Sequence, residues 1–293
     1  MLGEISFSIV IPAYNEESTI SRCLDSITSQ KIPEGFFLER IAVVSSSNDR
    51  TNEIVLSHVE GNNRIELVPE IERKGKVAAI NSFLKEEEVE ICVMCDADVV
   101  LAEDSLSELL RPFKEREIGG VTGVPVVRKE NMNFTERLGS LIWELHRYTT
   151  RREGKFSLLW AFRNEIEEID VNAGSDDSAV QQLIKNKGYK TLQSDKSIIY
   201  CTVPDNLTEY VIQRTRWRGC QDQMLKVYPE FKKDTALKSI LLPILKFLIL
   251  RPWKIPLFIF GSFLELYIIK RSRSELRGDQ RAFSVWDKIE SSR

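Results

Sequence analysis

Along the first third of the chain, short apolar runs alternate with amphipathic stretches. Phe7–Ile11, Ile41–Val44, Ile65–Val68 and Ile91–Cys95 are rich in β-branched residues, the pattern of strands covered on both faces of a parallel sheet. Between them, helices are predicted over Glu16–Gln30, Thr51–Val59 and Lys76–Glu87. In the first of these, Ile20, Leu24 and Ile27 recur at helical spacing and Asn15 stands where a cap is needed. Strand and helix alternating about every 30 residues is the βαβ pattern, so the fold class is α/β. Such sheets bind ligands beyond the carboxyl ends of their strands, where Tyr14, Ser45 and Asp96 to Asp98 fall.

The middle of the chain, from Gly119 to Thr202, is mixed. Val121–Val127 reads as a strand, and Phe134–Thr149 (with Trp143) and Ser178–Lys187 read as helices. From Ser239 to Ile269 the composition turns apolar. Lys246, Arg251, Lys254 and Glu265 interrupt any uncharged stretch of the ~18 residues that mark a membrane span. Trp253 among basic residues, with Lys270, Arg271, Arg273 and Arg277 following, predicts helices lying in a membrane interface; a pair of buried helices and a true span are the alternatives. The expected organisation is a catalytic-type domain over 1–230 and an apolar, basic helical tail over 231–293.

Charge sharpens that division. The 293 residues carry a net charge of −3, but residues 201–293 hold 17 Lys/Arg against 10 Asp/Glu, and the first 200 hold 24 against 34. An acidic front and a basic, apolar tail argue against a nucleic-acid partner and for a tail that meets an anionic surface. Five scattered cysteines predict a reducing compartment rather than a disulfide framework. His58 and His146 are too few for a histidine-rich metal site, and no secretory signal is read at the start, where the apolar run is short and lacks a basic leader.

Four segments could carry chemistry. Asp96-Ala-Asp98 follows a predicted strand, and side chains two apart in an extended segment share a side, so two hard oxygen donors can meet one Mg²⁺ or Mn²⁺. Taken alone, the pair is equally a solvated turn. Asp176-Asp177 precedes a helix, where it either complements the helix dipole or supplies a general base. In Gln213-Arg-Thr-Arg216-Trp217, helical spacing puts an amide, a planar cation and an aromatic ring on one face, suited to a diphosphate and a sugar ring, or simply to packing. Lys74-Gly-Lys76 opens a helix and could meet phosphate. Cys92 and Cys95 lie within a core strand and read as small buried apolar groups. No Gly-rich dinucleotide or P-loop motif is present.

In order and spacing, Ser8-Ile-Val-Ile-Pro-Ala-Tyr-Asn-Glu16, Asp96-Ala-Asp98, Asp176-Asp177 and Gln213-Arg-Thr-Arg-Trp217 resemble the family 2 glycosyltransferases. The resemblance runs from residue 5 to about 220, to the Gln-x-x-Arg-Trp branch that includes cellulose, chitin and hyaluronan synthases. It implies a GT-A fold, a mixed, mostly parallel sheet flanked by helices, here with a C-terminal apolar helical extension. It also implies a nucleotide-diphosphate sugar donor, a divalent metal (Mn²⁺ or Mg²⁺) and inversion at the anomeric carbon. Carried over by position, Pro12, Tyr14, Glu16 and Ser45 would line the nucleoside pocket, Lys76 would face the diphosphate, Asp96 the nucleotide and Asp98 the metal. Asp177 would be the base, with Asp176, Gln213, Arg216 and Trp217 bordering acceptor and diphosphate.

One position departs from the pattern. Where the family commonly has a carboxylate that recognises the base, this chain has Ser45 within Val44-Ser-Ser-Ser-Asn-Asp49. A UDP-sugar is the favoured donor and a GDP-sugar stays open. The expected acceptor is a lipid-linked or cell-surface glycan, the expected location the cytoplasmic side of the cell membrane, peripheral or interfacial. With no long transmembrane bundle in this chain, processive export by it alone is not expected. The competing expectation is a non-catalytic nucleotide-sugar-binding or scaffolding subunit of an envelope assembly.

Overall fold

The computed structural model describes residues 4–151, 153–229 and 237–278. In chain order the elements are β1 (Ile5–Ala13), α1 (Ile20–Thr28), β2 (Phe36–Ser45), α2 (Thr51–Gly61), β3 (Ile65–Pro69), α3 (Lys76–Glu86), β4 (Ile91–Cys95), β5 (Val100–Leu101) and α4 (Ser105–Leu110). They continue as β6 (Ile118–Val127), α5 (Phe134–Thr150), β7 (Leu159–Arg163), α6 (Asp176–Asn186), β8 (Lys190–Cys201), α7 (Leu207–Val227), α8 (Leu237–Leu250) and α9 (Ile255–Gly278). The strands make one sheet in the order β3-β2-β1-β4-β7-β6-β8-β5. β3, β2, β1 and β4 run parallel, as the apolar runs predict. Beyond β4 the sheet is mixed, because β7 enters antiparallel to both β4 and β6.

The period-2 alternation of the strands divides the core. Phe7, Ile9 and Ile11 of β1 and Ile91, Val93 and Cys95 of β4 point to one face, where α1 buries Ile20, Leu24 and Ile27 and α4 buries Leu106, Leu109 and Leu110. Val10, Ala42, Val44, Cys92 and Met94 point to the other. There α3 contributes Val77, Ile80, Phe83 and Leu84, and α6 contributes Ala179, Val180 and Ile184. With helices on both faces and short loops at the strand ends, polar side chains gather along one edge of the sheet.

Several boundaries differ from the expected ones for local reasons. α1 starts at Ile20 with Thr19 as its cap, not after Asn15. Asn15 adopts a left-handed backbone (φ 57°); its N–H donates to Ser47 Oγ (2.9 Å) and its Oδ1 accepts from the Asn48 N–H (3.0 Å). β2 begins five residues early, at Phe36, because Arg40 is held within the sheet by Glu66 (2.7 Å) and Glu87 (2.8 Å). α5 begins with a complete capping box between Asn133 and Glu136.

The apolar tail forms α8 and α9, packed against α5 and α7. Pro252–Glu275 is long and apolar enough to cross a membrane by length and composition, and 11% of its most apolar window is buried. The charges expected to interrupt it face inward: Lys254 pairs with Glu144 of α5, and Glu265 with Arg214 of α7 (2.7 Å). The outward surface is left apolar, with Ile259, Phe263, Leu266 and Tyr267 exposed.

A sharp turn links α5 to β7. Gly154 there has φ +52°, and a Cβ at this position would lie 2.1 Å from the Leu192 carbonyl carbon. Gly188, at φ +89°, has open space around it. Gly154→Ala should therefore cost at least ~2 kcal/mol, and Gly188→Ala only the ~1–2 kcal/mol of the left-handed backbone. Urea unfolding of the two variants checks the contrast; equal losses would contradict the close approach.

Candidate active site

The loops after β1 and β2 are stitched into one rim. The Glu16 N–H donates to Thr51 Oγ1 (2.7 Å), and Asp49 accepts from the backbone N–H groups of Thr51 (2.9 Å) and Glu17 (3.2 Å). These bonds hold Pro12, Tyr14 and Glu16 along a cavity of about 630 Å³, a size suited to a nucleotide-sized ligand. Lys76, Asp96, Asp98, Asp176, Asp177, Gln213, Arg216 and Trp217 line the same cavity. Ser45 does not. It is buried, and its hydroxyl donates to Asn52 Oδ1 (2.6 Å); the next residue, Ser46, reaches the cavity instead.

Lys76 sits at the centre. Placed at the first position of α3, its ammonium contacts Asp96 Oδ1 at 2.7 Å and Asp176 Oδ2 at 3.1 Å, joining the end of β4 to the start of α6. Burial alone would lower the lysine pKa; Asp176 and Asp96 outweigh it and push the pKa above its usual value. Burial pushes the Asp96 carboxyl up, Lys76 pulls it back, and Asp176 and Glu16 add repulsion. Asp177 is raised as well, by burial first and by Asp176 next, with Lys155 and the Ser175 hydrogen bond opposing.

Asp177 lies in the first turn of α6, and its carboxylate is held from two sides. The Ser175 hydroxyl donates to Oδ1 (2.5 Å), as does the Ser178 N–H (2.6 Å). Gln221 of α7, one turn beyond Trp217, donates to both Ser175 Oγ (2.7 Å) and Ser178 Oγ (2.8 Å). The loop leading to α6 is fixed by Asn81 of α3, whose amide exchanges two hydrogen bonds with the Ile169 backbone (2.7 and 2.9 Å). The helix bearing the Gln-x-x-Arg-Trp segment therefore also orients the carboxylate.

Sequence reasoning missed four other groups. Arg73 lies flat over Tyr14, 3.6 Å from its ring centroid. Lys155 stands 4.7 Å from the Trp217 ring centroid, with Arg214 at 4.6 Å. His146 meets Trp143 edge-on at 5.6 Å, and burial, with Lys155 and Arg214 adding, pushes its pKa down to about 3, so the ring is neutral at pH 7. Gln221 is the fourth. Arg73 had a visible signal, since it opens the basic run Arg73-Lys-Gly-Lys76. Lys155 and Gln221 acquire meaning only through elements distant in sequence.

Together the sheet order and the rim of acidic side chains define a GT-A glycosyltransferase fold. The solved mannosyltransferase PcManGT from Pyrobaculum calidifontis, in complex with GDP-Man and Mn²⁺, superposes with a TM-score of 0.64 at 23% identity, over 95% of this chain and 76% of that one. Glucosyl-3-phosphoglycerate synthase from Mycobacterium tuberculosis, with Mn²⁺, UDP and phosphoglyceric acid, superposes with 0.51 at 19% identity, over 76% and 78%. The model of glycosyl transferase family 2 matches residues 8–166, more than half of the chain, so the chain belongs to that family. Among curated relatives, the poly-β-1,6-N-acetyl-D-glucosamine synthase of Staphylococcus epidermidis is 25% identical over 82% of this chain, and that of Staphylococcus aureus (strain COL) 25% over 75%. The chain spans about 60% and 55% of those relatives' lengths.

The Ser175 contact makes a titration prediction. Because its hydrogen bond stabilises the Asp177 carboxylate, Ser175→Ala should move the Asp177 pKa further above the usual carboxylate range. Carbon-13 NMR of labelled aspartates checks the direction; an unmoved or lowered pKa would contradict the assigned contact.

Proposed function

We propose that this protein is an inverting glycosyltransferase that moves a sugar from a nucleotide-diphosphate donor to a hydroxyl of a lipid-linked or cell-surface glycan. The observation that carries the reading is the meeting of Asp96, Asp98 and Asp177, contributed by β4 and α6, in one cavity beside Lys76. The relatives named above are synthases of poly-β-1,6-N-acetyl-D-glucosamine, a glycan, and the nucleotides bound in the solved neighbours are GDP-Man and UDP.

In this reading the donor's base and ribose lie between Pro12, Tyr14 and Glu16, with Arg73 closing over Tyr14. A UDP-sugar is favoured and a GDP-sugar possible. The acceptor hydroxyl attacks the anomeric carbon from the face opposite the diphosphate. The new C–O bond forms as the bond to phosphate breaks; its electron pair stays on the diphosphate oxygen, and the hydroxyl proton passes to Asp177. A carboxyl with a raised pKa is a better base than an ordinary one, provided it is ionised at working pH. Lys76 and Arg216 lie where the diphosphate gains charge, and Trp217 offers the acceptor ring a surface against which to orient.

A divalent cation fits the donor set. Asp96 and Asp98 are hard oxygen ligands two residues apart, and both line the cavity. Among the described residues no group of three or more His, Cys, Asp or Glu forms a ligand set by itself. Asp98, with Asp96 beside it, would hold Mn²⁺ or Mg²⁺, and the bound ion would neutralise charge on the leaving diphosphate. The exposed apolar faces of α8 and α9, with Lys246, Lys270 and Arg273 exposed among them, support contact with the cytoplasmic surface of a membrane. The described cysteines are all buried thiols outside any disulfide, in keeping with a reducing compartment.

Thermal unfolding with UDP-, GDP- and CDP-sugars in Mn²⁺ or Mg²⁺ tests the donor. A UDP-sugar with Mn²⁺ should stabilise the protein, by ~2.7 kcal/mol at a hundredfold excess over Kd, and Asp98→Asn should remove the metal-dependent part. No stabilisation by any donor with either metal would end the reading. Asp177→Asn should lower transfer by ~10²–10⁴ while donor-induced stabilisation persists. Near-normal turnover in that variant would reject the base and favour a different carboxylate.

A further inference from the structure

The cavity does not end at Trp217. It continues between α5 and α8, where Ile142, Trp143 and Leu145 face Ile240 and Ile244, with Tyr210 of α7 also on its wall. This annex has no acidic side chain, unlike the half beside Lys76. The polar side chains of α5 on this wall are Thr149, whose hydroxyl donates back to the Leu145 carbonyl (2.9 Å), and His146, whose neutral ring lies against Trp143 and whose Nδ1 is shielded from solvent with no hydrogen-bond partner. Lys155 links the two halves, close enough to Asp177 to pull down its carboxyl pKa and seated over Trp217.

α8 has two apolar faces with different surroundings. Ile240 and Ile244 look into the cavity and Phe247, the next residue on that face, is fully buried against Tyr148 of α5 at 5.2 Å. On the opposite side Leu242 is 72% exposed and Ile249 77% exposed. Lys246 is exposed beside this outer surface, while Arg251 turns inward and donates to the Tyr148 hydroxyl (2.9 Å). One helix thus separates the annex from a surface made for hydrocarbon. A sugar polymer would need hydroxyl and amide partners along such a path; an alkyl or isoprenoid chain needs none.

Resting on the proposed transferase reading, we propose that the annex is a binding subsite for the hydrocarbon chain of an amphiphilic acceptor. The acceptor would be a membrane lipid whose hydroxylated head reaches Asp177 past Trp217, its chain lying between α5 and α8. Trp217 and Lys155 would mark the boundary between sugar and chain.

The test uses the full chain in one fixed detergent with Mn²⁺ and the donor found in the thermal panel. Methyl, hexyl and octyl glycosides of glucose and N-acetylglucosamine serve as acceptors. KM should fall at least ~10-fold from methyl to octyl with kcat little changed, since a few buried methylenes suffice for that factor. Ile244→Trp, which fills the annex, should bring the methyl-to-octyl ratio to within about twofold. Ile240→Phe, a milder filling one turn away, should lower it in the same direction and guards against misfolding of the first variant. Leu242→Ser, on the outer face of the same helix, should keep the ratio. A ratio near one in the unaltered protein overturns the proposal. So does a ratio that survives both filling variants, because chain length would then act through detergent partitioning. Transfer to no glycoside at all, methyl included, would overturn the transferase reading and this proposal with it.

Discussion

The ion pairs of Lys76 hold the architecture and the chemistry to one geometry. Bringing Asp96, Asp176 and Asp177 together along one partly buried cavity wall costs hydration and adds mutual repulsion. One ammonium, 2.7 Å from Asp96 and 3.1 Å from Asp176, offsets part of that cost and in doing so ties β4 to α6. It does not offset all of it. Burial keeps the Asp96 and Asp177 carboxyls above their ordinary pKa even with that ammonium present.

The rest of the fold serves to keep that cluster in register. Lys76 is placed because α3 starts at Gly75, whose φ of 93° lets the chain turn into the helix beneath the ends of β1 and β4. Asp96 is placed by the uninterrupted burial of β4 and by its N–H donating to the Leu158 carbonyl (3.0 Å). Asp177 is placed through α7, where Gln221 grips Ser175 and Ser178 and Gln223 grips the Asn172 carbonyl (2.7 Å). The conjunction of Gln213, Arg216 and Trp217 with Gln221 and Gln223 on a single helix gives that segment two jobs: it borders the cavity and holds the carboxylate opposite.

What could be read from the residues follows from how each element is stabilised. β1, β3 and β4 are legible because burial on both faces leaves plain apolar runs, and the Asp96–Asp98 and Asp176–Asp177 pairs are legible because local spacing already groups them. The first half of β2 is hidden by Arg40, whose charge is tolerated only because Glu66 and Glu87 come from other elements. β8, Lys-Thr-Leu-Gln-Ser-Asp-Lys-Ser-Ile-Ile-Tyr-Cys, has too little apolar alternation to announce a strand and is held by pairing with β6. The sequence puts Ser45 at the nucleoside pocket, whereas Ser46 is the residue that lines the cavity. β2 runs through Ser45, which turns its hydroxyl into the interior and leaves Ser46 at the cavity. Lys155 and Gln221 had no local signal, since each matters for what another part of the chain brings to it.

The same reasoning changes how the apolar tail should be understood. Read along the chain, Lys254 and Glu265 look like interruptions that forbid a span. In three dimensions both are inward bolts: Lys254 to Glu144 of α5 and Glu265 to Arg214 of α7. Arg214 also stands over Trp217, so the bolt that docks α9 reaches directly to the cavity wall. Ion pairs so placed contribute specificity of docking more than stability, because much of their mutual attraction repays the water they give up. Their consequence is geometric. With Lys254 and Glu265 turned inward, α9 presents Ile259, Phe263, Leu266 and Tyr267 outward, while α8 turns Leu242 and Ile249 outward and lines the cavity with Ile240 and Ile244 on its other side.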